Sequence, residues 1–195
     1  MIATEAIKTG KVVVCPTDTV YGLIADATNR DAVQRTFRIK KRLKKNALPI
    51  FVKNLKMAKD LAEINKKQER ILKKIWPGKV TVILKKKSRI KIFGADKKTI
   101  GLRIPNYKLV NILLEKLNRP LIGTSANISG KPASTRIKEV LKQFKNPAPK
   151  GRGSLNKVEW QKIKPDLVLD AGNLPKRKPS KVIDLTGKNV KILRP

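Results

Sequence analysis

The chain contains no histidine and a single cysteine, Cys15, among its 195 residues. Those two absences exclude an intramolecular disulfide and the common zinc sites, which are assembled from thiolates and imidazoles. Acidic residues are scarce as well, with 14 Asp and Glu against 47 Lys and Arg and a formal charge of +33. A surplus of that size attracts polyanions, nucleic acid first among them, but lysine spread over every solvated face by coding bias would give the same total. No apolar run approaches the ~20 residues that span a bilayer, and residues 1–10 lack the apolar core of a secretory signal. These features lead us to expect a cytoplasmic protein with no membrane association. The length suits one domain, residues 1–195, with its own core.

What is present alternates between two periodicities. Residues 11–15 form a β-branched run ahead of Pro16, as a buried strand ending in a loop would. A helix opens at Asp31 with Ala32, Val33, Phe37 and Ile39 on one face, and residues 48–52 read as the next strand. Helical spacing returns over 55–64 and 68–76, where Pro77 and Gly78 stop it. Residues 80–84 and 99–104 read as strands, 109–117 as a helix, 121–122 as a short buried strand, and 136–144 as another helix. Residues 145–165, rich in Pro, Gly and Lys, read as a mobile basic surface loop. Three short strands, 167–169, 182–185 and 190–193, close the chain. Helices between strands point to an α/β class of the mixed α+β type. Strand separations are too irregular for an uninterrupted parallel series, so three layers around a twisted mixed sheet are expected, with an open, concave, basic cleft over one sheet face.

Three segments could carry chemistry. Residues 16–23, Pro-Thr-Asp-Thr-Val-Tyr-Gly-Leu, place two hydroxyls, a carboxylate and a phenol just after a strand, where α/β proteins build sites. By itself a Thr-Asp-Thr triplet is more often a turn bonded to its own backbone. Residues 40–46, Lys-Lys-Arg-Leu-Lys-Lys-Asn, could hold phosphate oxygens; by itself, in a chain this rich in lysine, a basic helix end is more often a solvated one that complements the helix dipole. Residues 123–132, Gly-Thr-Ser-Ala-Asn-Ile-Ser-Gly-Lys-Pro, are small and polar and let backbone N–H groups approach a nucleotide. Neither a P-loop nor a dinucleotide-binding glycine fingerprint occurs, so a nucleotide would have to be held by other means. Cys15, beside Val12, Val13 and Val14, reads as a small buried hydrophobe.

Taken in order, and joined by Trp76-Pro77-Gly78-Lys79-Val80-Thr81 and Thr99-Ile100-Gly101-Leu102-Arg103-Ile104-Pro105, these motifs resemble the YrdC-like family of threonylcarbamoyl-adenylate synthases. The resemblance runs from about residue 11 to residue 194. It implies the YrdC-like fold and a nucleotidyltransferase that combines L-threonine, bicarbonate and ATP into threonylcarbamoyl-AMP and pyrophosphate. A separate threonylcarbamoyl-transferase complex would then modify the tRNA adenosine next to the anticodon. By the same resemblance, Thr19, Arg103 and Ser180 contact threonine, and Lys40, Arg42, Asn46, Thr99, Ser125, Asn127 and Arg194 contact ATP. Such chemistry aligns and neutralises anions and needs no covalent nucleophile. Magnesium is expected to arrive with ATP and to need no dedicated protein ligands. tRNA itself is a candidate partner, with direct contact left open by the sequence. Four positions depart from the family's pattern: Leu43 where a proline is common, Phe51 where several relatives place a histidine, Ala133 for serine, and Lys181 for threonine. The alternative function is a non-catalytic module of the same fold that binds double-stranded RNA or tRNA.

Overall fold

In the computed structural model, residues 2–88, 90–145, 164–187 and 189–195 are described. Most of the basic loop expected at 145–165 lies outside them. The helices are α1 (Ile2–Lys8), α2 (Arg30–Ile39), α3 (Leu55–Leu61), α4 (Lys66–Ile75), α5 (Lys108–Leu117) and α6 (Ile137–Lys145). The strands are β1 (Val13–Cys15), β2 (Gly22–Asp26), β3 (Ile50–Phe51), β4 (Val80–Lys85), β5 (Thr99–Arg103), β6 (Leu121–Ser125), β7 (Leu167–Val168), β8 (Lys181–Asp184) and β9 (Lys191–Arg194).

Helix ends follow local chemistry. Asn29 caps α2 by accepting from the amides of Asp31 and Ala32, and Asn65 and Gln68 form a reciprocal capping box at the start of α4. At the other end of α5, Asn118 takes the left-handed conformation that stops a helix, at φ 49°.

Among the described residues these nine strands join one twisted sheet in the order β7-β1-β2-β6-β3-β5-β4-β8-β9. It is mixed: β1 with β7, β3 with β5, and β4 with β8 are parallel, and the remaining pairs are antiparallel. Side chains alternate between its faces. Val12 and Val14 enter a large cluster with residues of α2, α3, α4 and α6, whereas Val13 and Cys15 enter a smaller one with α1 and α5. The molecule is therefore three layers, helices on both faces of a mixed sheet, as expected.

Two elements were not expected. Helix α1 carries a short Ile-Ala-Thr-Glu-Ala-Ile-Lys segment whose Ala3, Ala6 and Ile7 are buried against the α5 side. Strand β2 begins inside the motif read as a loop. It pairs over five residues with β6, from Gly22 opposite Ser125 to Asp26 opposite Leu121. That partnership also carries β6 through Ser125, past the two residues expected.

Candidate functional site

The register fixes which residues share a surface. Ile24 belongs to the α1/α5 face, and it lies opposite Gly123, while Gly22 lies opposite Ser125. By alternation Gly22, Gly123 and Ser125 are on that same face, as are Phe51 and its register partner Arg103. Helices α1 and α5 cover part of this face. Where Gly22 and Gly123 lie, no side chain rises from the sheet. There a cavity of about 240 Å³ opens, lined by Thr17, Thr19, Phe51, Arg103, Ser180 and Arg194 among others.

Arg103 is 2% exposed. Its Nε donates to the Gly78 carbonyl at 2.8 Å and its Nη2 donates to Asp18 Oδ1 at 2.5 Å. The guanidinium carbon lies 5.5 Å from the centre of the Phe51 ring, a cation–π contact. A guanidinium has five N–H donors, so those left over remain for a ligand. Asp18 is fixed in turn: its other oxygen accepts from the Asn106 amide, and its carbonyl accepts from Arg177. Burial pushes the Arg103 pKa down, and the adjacent carboxylate opposes that shift.

The hydroxyls have definite polarity. Thr17 Oγ1 donates to the Val20 carbonyl at 2.6 Å and accepts from the Thr19 amide. Its proton is thus committed, so in the 3.1 Å contact between the two hydroxyls Thr19 donates. Thr19 therefore turns acceptor lone pairs to its surroundings. Ser180 Oγ accepts from Arg194 Nη2 at 3.1 Å, and the Ser180 carbonyl accepts from Arg194 Nε at 2.8 Å. A serine one residue before β8 thereby steers an arginine at the end of β9.

On the other side of the cavity, Ser125 Oγ donates to Asn127 Oδ1 at 2.5 Å, and the Asn127 amide group donates to the carbonyls of Ile128 and Lys131. This knits the small polar segment into a fixed turn. Lys40, just past α2, reaches it with Nζ. Arg42 donates from Nε to the Asn46 carbonyl and from Nη2 to the Ala47 carbonyl, so its own loop orients it.

Eight of the ten residues expected from the sequence thus line one cavity: Thr19, Arg103, Ser180, Lys40, Arg42, Ser125, Asn127 and Arg194. Asn46 and Thr99 are not among its lining residues. Asn46 contributes a backbone carbonyl to Arg42. Thr99 begins β5 opposite Lys85, four residues before Arg103 and hence ~13 Å along the strand. Asp18, noted as the carboxylate of the first motif, was given no role, and Arg177 was not singled out; they act from behind Arg103 and the Thr-Asp-Thr turn, and long-range pairing gives no local signal.

Among the described residues no carboxylate lines the cavity, whereas Lys40, Arg42, Arg103 and Arg194 do. The oxygens it offers are hydroxyls and carbonyls, which suit a hydrated cation already carried by a phosphate chain. Cys15 is buried, with its thiol pushed up to about 12 by desolvation, which keeps it protonated and unreactive at neutral pH.

The Sua5/YciO/YrdC family model, described as telomere recombination, matches residues 5–150. A threonylcarbamoyl-AMP synthase from Pyrococcus abyssi is 35% identical over 198 aligned residues, covering 100% of this chain and 53% of the relative. A putative threonylcarbamoyl-AMP synthase from Methanocaldococcus jannaschii is 36% identical over 181 residues, covering 93% and 77%. Among solved structures, P. abyssi Sua5 complexed with L-threonine superposes with a TM-score of 0.84 at 33% identity, over 100% of this chain and 53% of that one. The chain spans about half the length of the Pyrococcus protein. A family match over residues 5–150 and relatives at 35% and 36% identity over nearly the whole chain have one conclusion: the chain belongs to the Sua5/YciO/YrdC family.

Proposed function

We propose that this chain is an L-threonylcarbamoyladenylate synthase, joining L-threonine, bicarbonate and ATP into threonylcarbamoyl-AMP and pyrophosphate. The observation that carries the reading is the meeting of Thr19, Arg103 and Ser180 with Arg42, Ser125 and Arg194 on one cationic cavity. The relative bound to L-threonine supports the choice of amino acid.

The polarity of the groups fits an α-amino acid. Arg103 retains donors for a carboxylate, and Thr19 presents lone pairs to an amine. The amine attacks the carbon of carbon dioxide and releases a proton, or that of bicarbonate, whose hydroxyl leaves with the amine proton as water, and a carbamate forms. A carbamate oxygen then attacks the α-phosphorus of ATP, and the bond to the bridging oxygen breaks to release pyrophosphate. Carboxylate, carbamate and triphosphate repel one another in water. Fixed cations remove that repulsion and align the in-line attack without a covalent intermediate on the protein.

A cavity of about 240 Å³ is smaller than the roughly 300–1,000 Å³ that encloses a drug-sized ligand. It suits the amino acid and the reacting phosphorus, with the remainder of the nucleotide toward the mouth. Magnesium would travel on the phosphate oxygens and offset part of their charge. Transfer of the product to tRNA by a separate complex, direct contact with tRNA, and a cytoplasmic site of action belong to the same proposal. Among the described residues no helix is long and apolar enough to cross a membrane. An RNA-binding module without turnover is not favoured, since it needs no convergence of amino-acid and phosphate groups on one cavity.

The test is incubation with ATP, bicarbonate and labelled threonine. Threonine-dependent pyrophosphate and the labelled adenylate are expected. No product under conditions where a known synthase works would sink the proposal.

A further inference from the structure

Lys40 does not fit the role of a phosphate ligand. Its Nζ lies 2.6 Å from the Ser125 carbonyl, 2.9 Å from the Asn127 carbonyl and 3.1 Å from Asn127 Oδ1. An ammonium has three protons, one for each of these acceptors. The Lys40 carbonyl also accepts from the Ser129 amide at 2.8 Å, so the residue holds the turn at two points. Lys40 is 2% exposed.

Among the described residues no carboxylate forms an ion pair with this charge; the ion pairs there involve other cations. The groups facing Lys40 from the turn, Ser125, Asn127 and Ser129, are neutral; Gln143 of α6, which backs the turn through Ile128, is neutral too. The charged neighbour is Arg42, of the same sign. Burial, and then Arg42, lower the Lys40 pKa from 10.5 to about 7. A neutral amine has only two protons and would leave one acceptor facing a lone pair, so the clamp is complete only in the charged form.

The missing negative charge is what a polyphosphate would bring. We propose that Lys40 is a positioning residue that clamps the Ser125–Asn127 turn from beneath, and that polyphosphate binding in the cavity loads a proton onto it. Phosphate binding, proton uptake and closure of the clamp are then one linked equilibrium, in which each favours the others. The inference rests on the nucleotide reading above and deepens it by assigning how the turn is set.

Absence of histidine makes the test clean, because no ordinary side chain titrates near neutrality. ATP binding is measured by calorimetry at pH 8, where its terminal phosphate is already ionised, in buffers of differing ionisation heat. The expected result for the wild type is uptake of about half to one proton per ATP bound. Lys40→Arg keeps a charge that does not titrate, and Lys40→Met removes it; both should show close to none, while the α-amino group is common to all three. Across pH 7 to 9 the wild-type affinity should fall by up to about tenfold per unit, and that of Lys40→Arg should stay flat. ATP binding by the wild type with no buffer-dependent heat overturns the inference and leaves the nucleotide reading standing, whether or not the variants fold. Failure of the folded wild type to bind ATP at all overturns both.

Discussion

Arg103 and Asp18 meet at 2.5 Å with both side chains 3% exposed, so the cation proposed to hold the substrate carboxylate is itself held by a buried acid. Asp18 lies outside the cavity lining and acts through the arginine. The arrangement fixes the direction of the remaining guanidinium donors before any ligand arrives, which lowers the ordering cost of binding.

Asp18→Asn tests this arrangement. Removing one partner of a buried ion pair leaves an uncompensated charge and costs about 3–5 kcal/mol. Denaturant melts should show a loss of that order. In preparations that remain folded, the KM for threonine should rise more than that for ATP. Equal effects on both would mean the pair has no directional role.

Arg103→Ala should abolish threonine-dependent turnover by at least ~100-fold, since a charge-assisted bidentate contact and a fixed point of alignment are lost together. Salt-sensitive binding of RNA should change little, because one charge in a large surplus contributes little to it. Parallel measurement of pyrophosphate release and RNA retention checks both.

Gly123→Ala bears on shape. A β-carbon at this position would lie 2.5 Å from atoms of the Phe51 ring, which carries Arg103 above it. Overpacking of this kind costs typically ~1–3 kcal/mol. The melting temperature should drop and threonine-dependent activity with it; Phe51→Leu added to Gly123→Ala should recover part of the stability. No change in the single variant would mean that the ring moves aside freely.

The stability of the ligand-free protein should carry the mark of Lys40. Its folded-state pKa of about 7 lies below the ordinary 10.5, so between those values the unfolded chain binds more protons. Stability then rises with pH across that window, and the penalty of the buried charge is complete below about 7. Melts of the wild type and Lys40→Met at pH 7, 8 and 9 should diverge in favour of the wild type by up to ~1.4 kcal/mol per unit. A difference independent of pH would remove the basis for this shift.

Thr99→Val separates resemblance from geometry. The resemblance gives Thr99 to ATP, but its position at the start of β5 is about 13 Å along the strand from Arg103. We expect the KM for ATP to stay within about twofold. A tenfold rise would show that the nucleotide extends across that distance.

Much of the fold was legible where one residue type repeats at one period. Helix α2 shows its buried Ala32, Val33 and Phe37 and its cap at Asn29 in the sequence itself. Strand β2 was not legible, because Gly-Leu-Ile-Ala-Asp is buried along its whole length and follows a motif rich in turn formers. Helix α1 is only seven residues long, too short for periodicity to declare itself. The strand order needs pairings between segments a hundred residues apart, and no local preference encodes them. The same division holds in the cavity. Thr19, Ser125 and Asn127 stand in motifs and were found there. Asp18 matters through a partner 85 positions away, and the backbone role of Asn46 leaves its side chain uninformative.

Gly22 leaves its part of the cavity floor as main chain, while the Phe51 ring lies over Gly123, and this limits how the protein can change its taste in ligands. At Gly22 an added methyl would come within 3.2 Å of the Thr124 carbonyl and of the Thr17 side chain. Depth at Gly22 is therefore set by peptide groups, and over Gly123 by the Phe51 ring. Any drift toward a larger or smaller amino acid has to come from the rim, through Thr19, Phe51 or Ser180, and libraries built to broaden the substrate range should spare the two glycines and vary those walls.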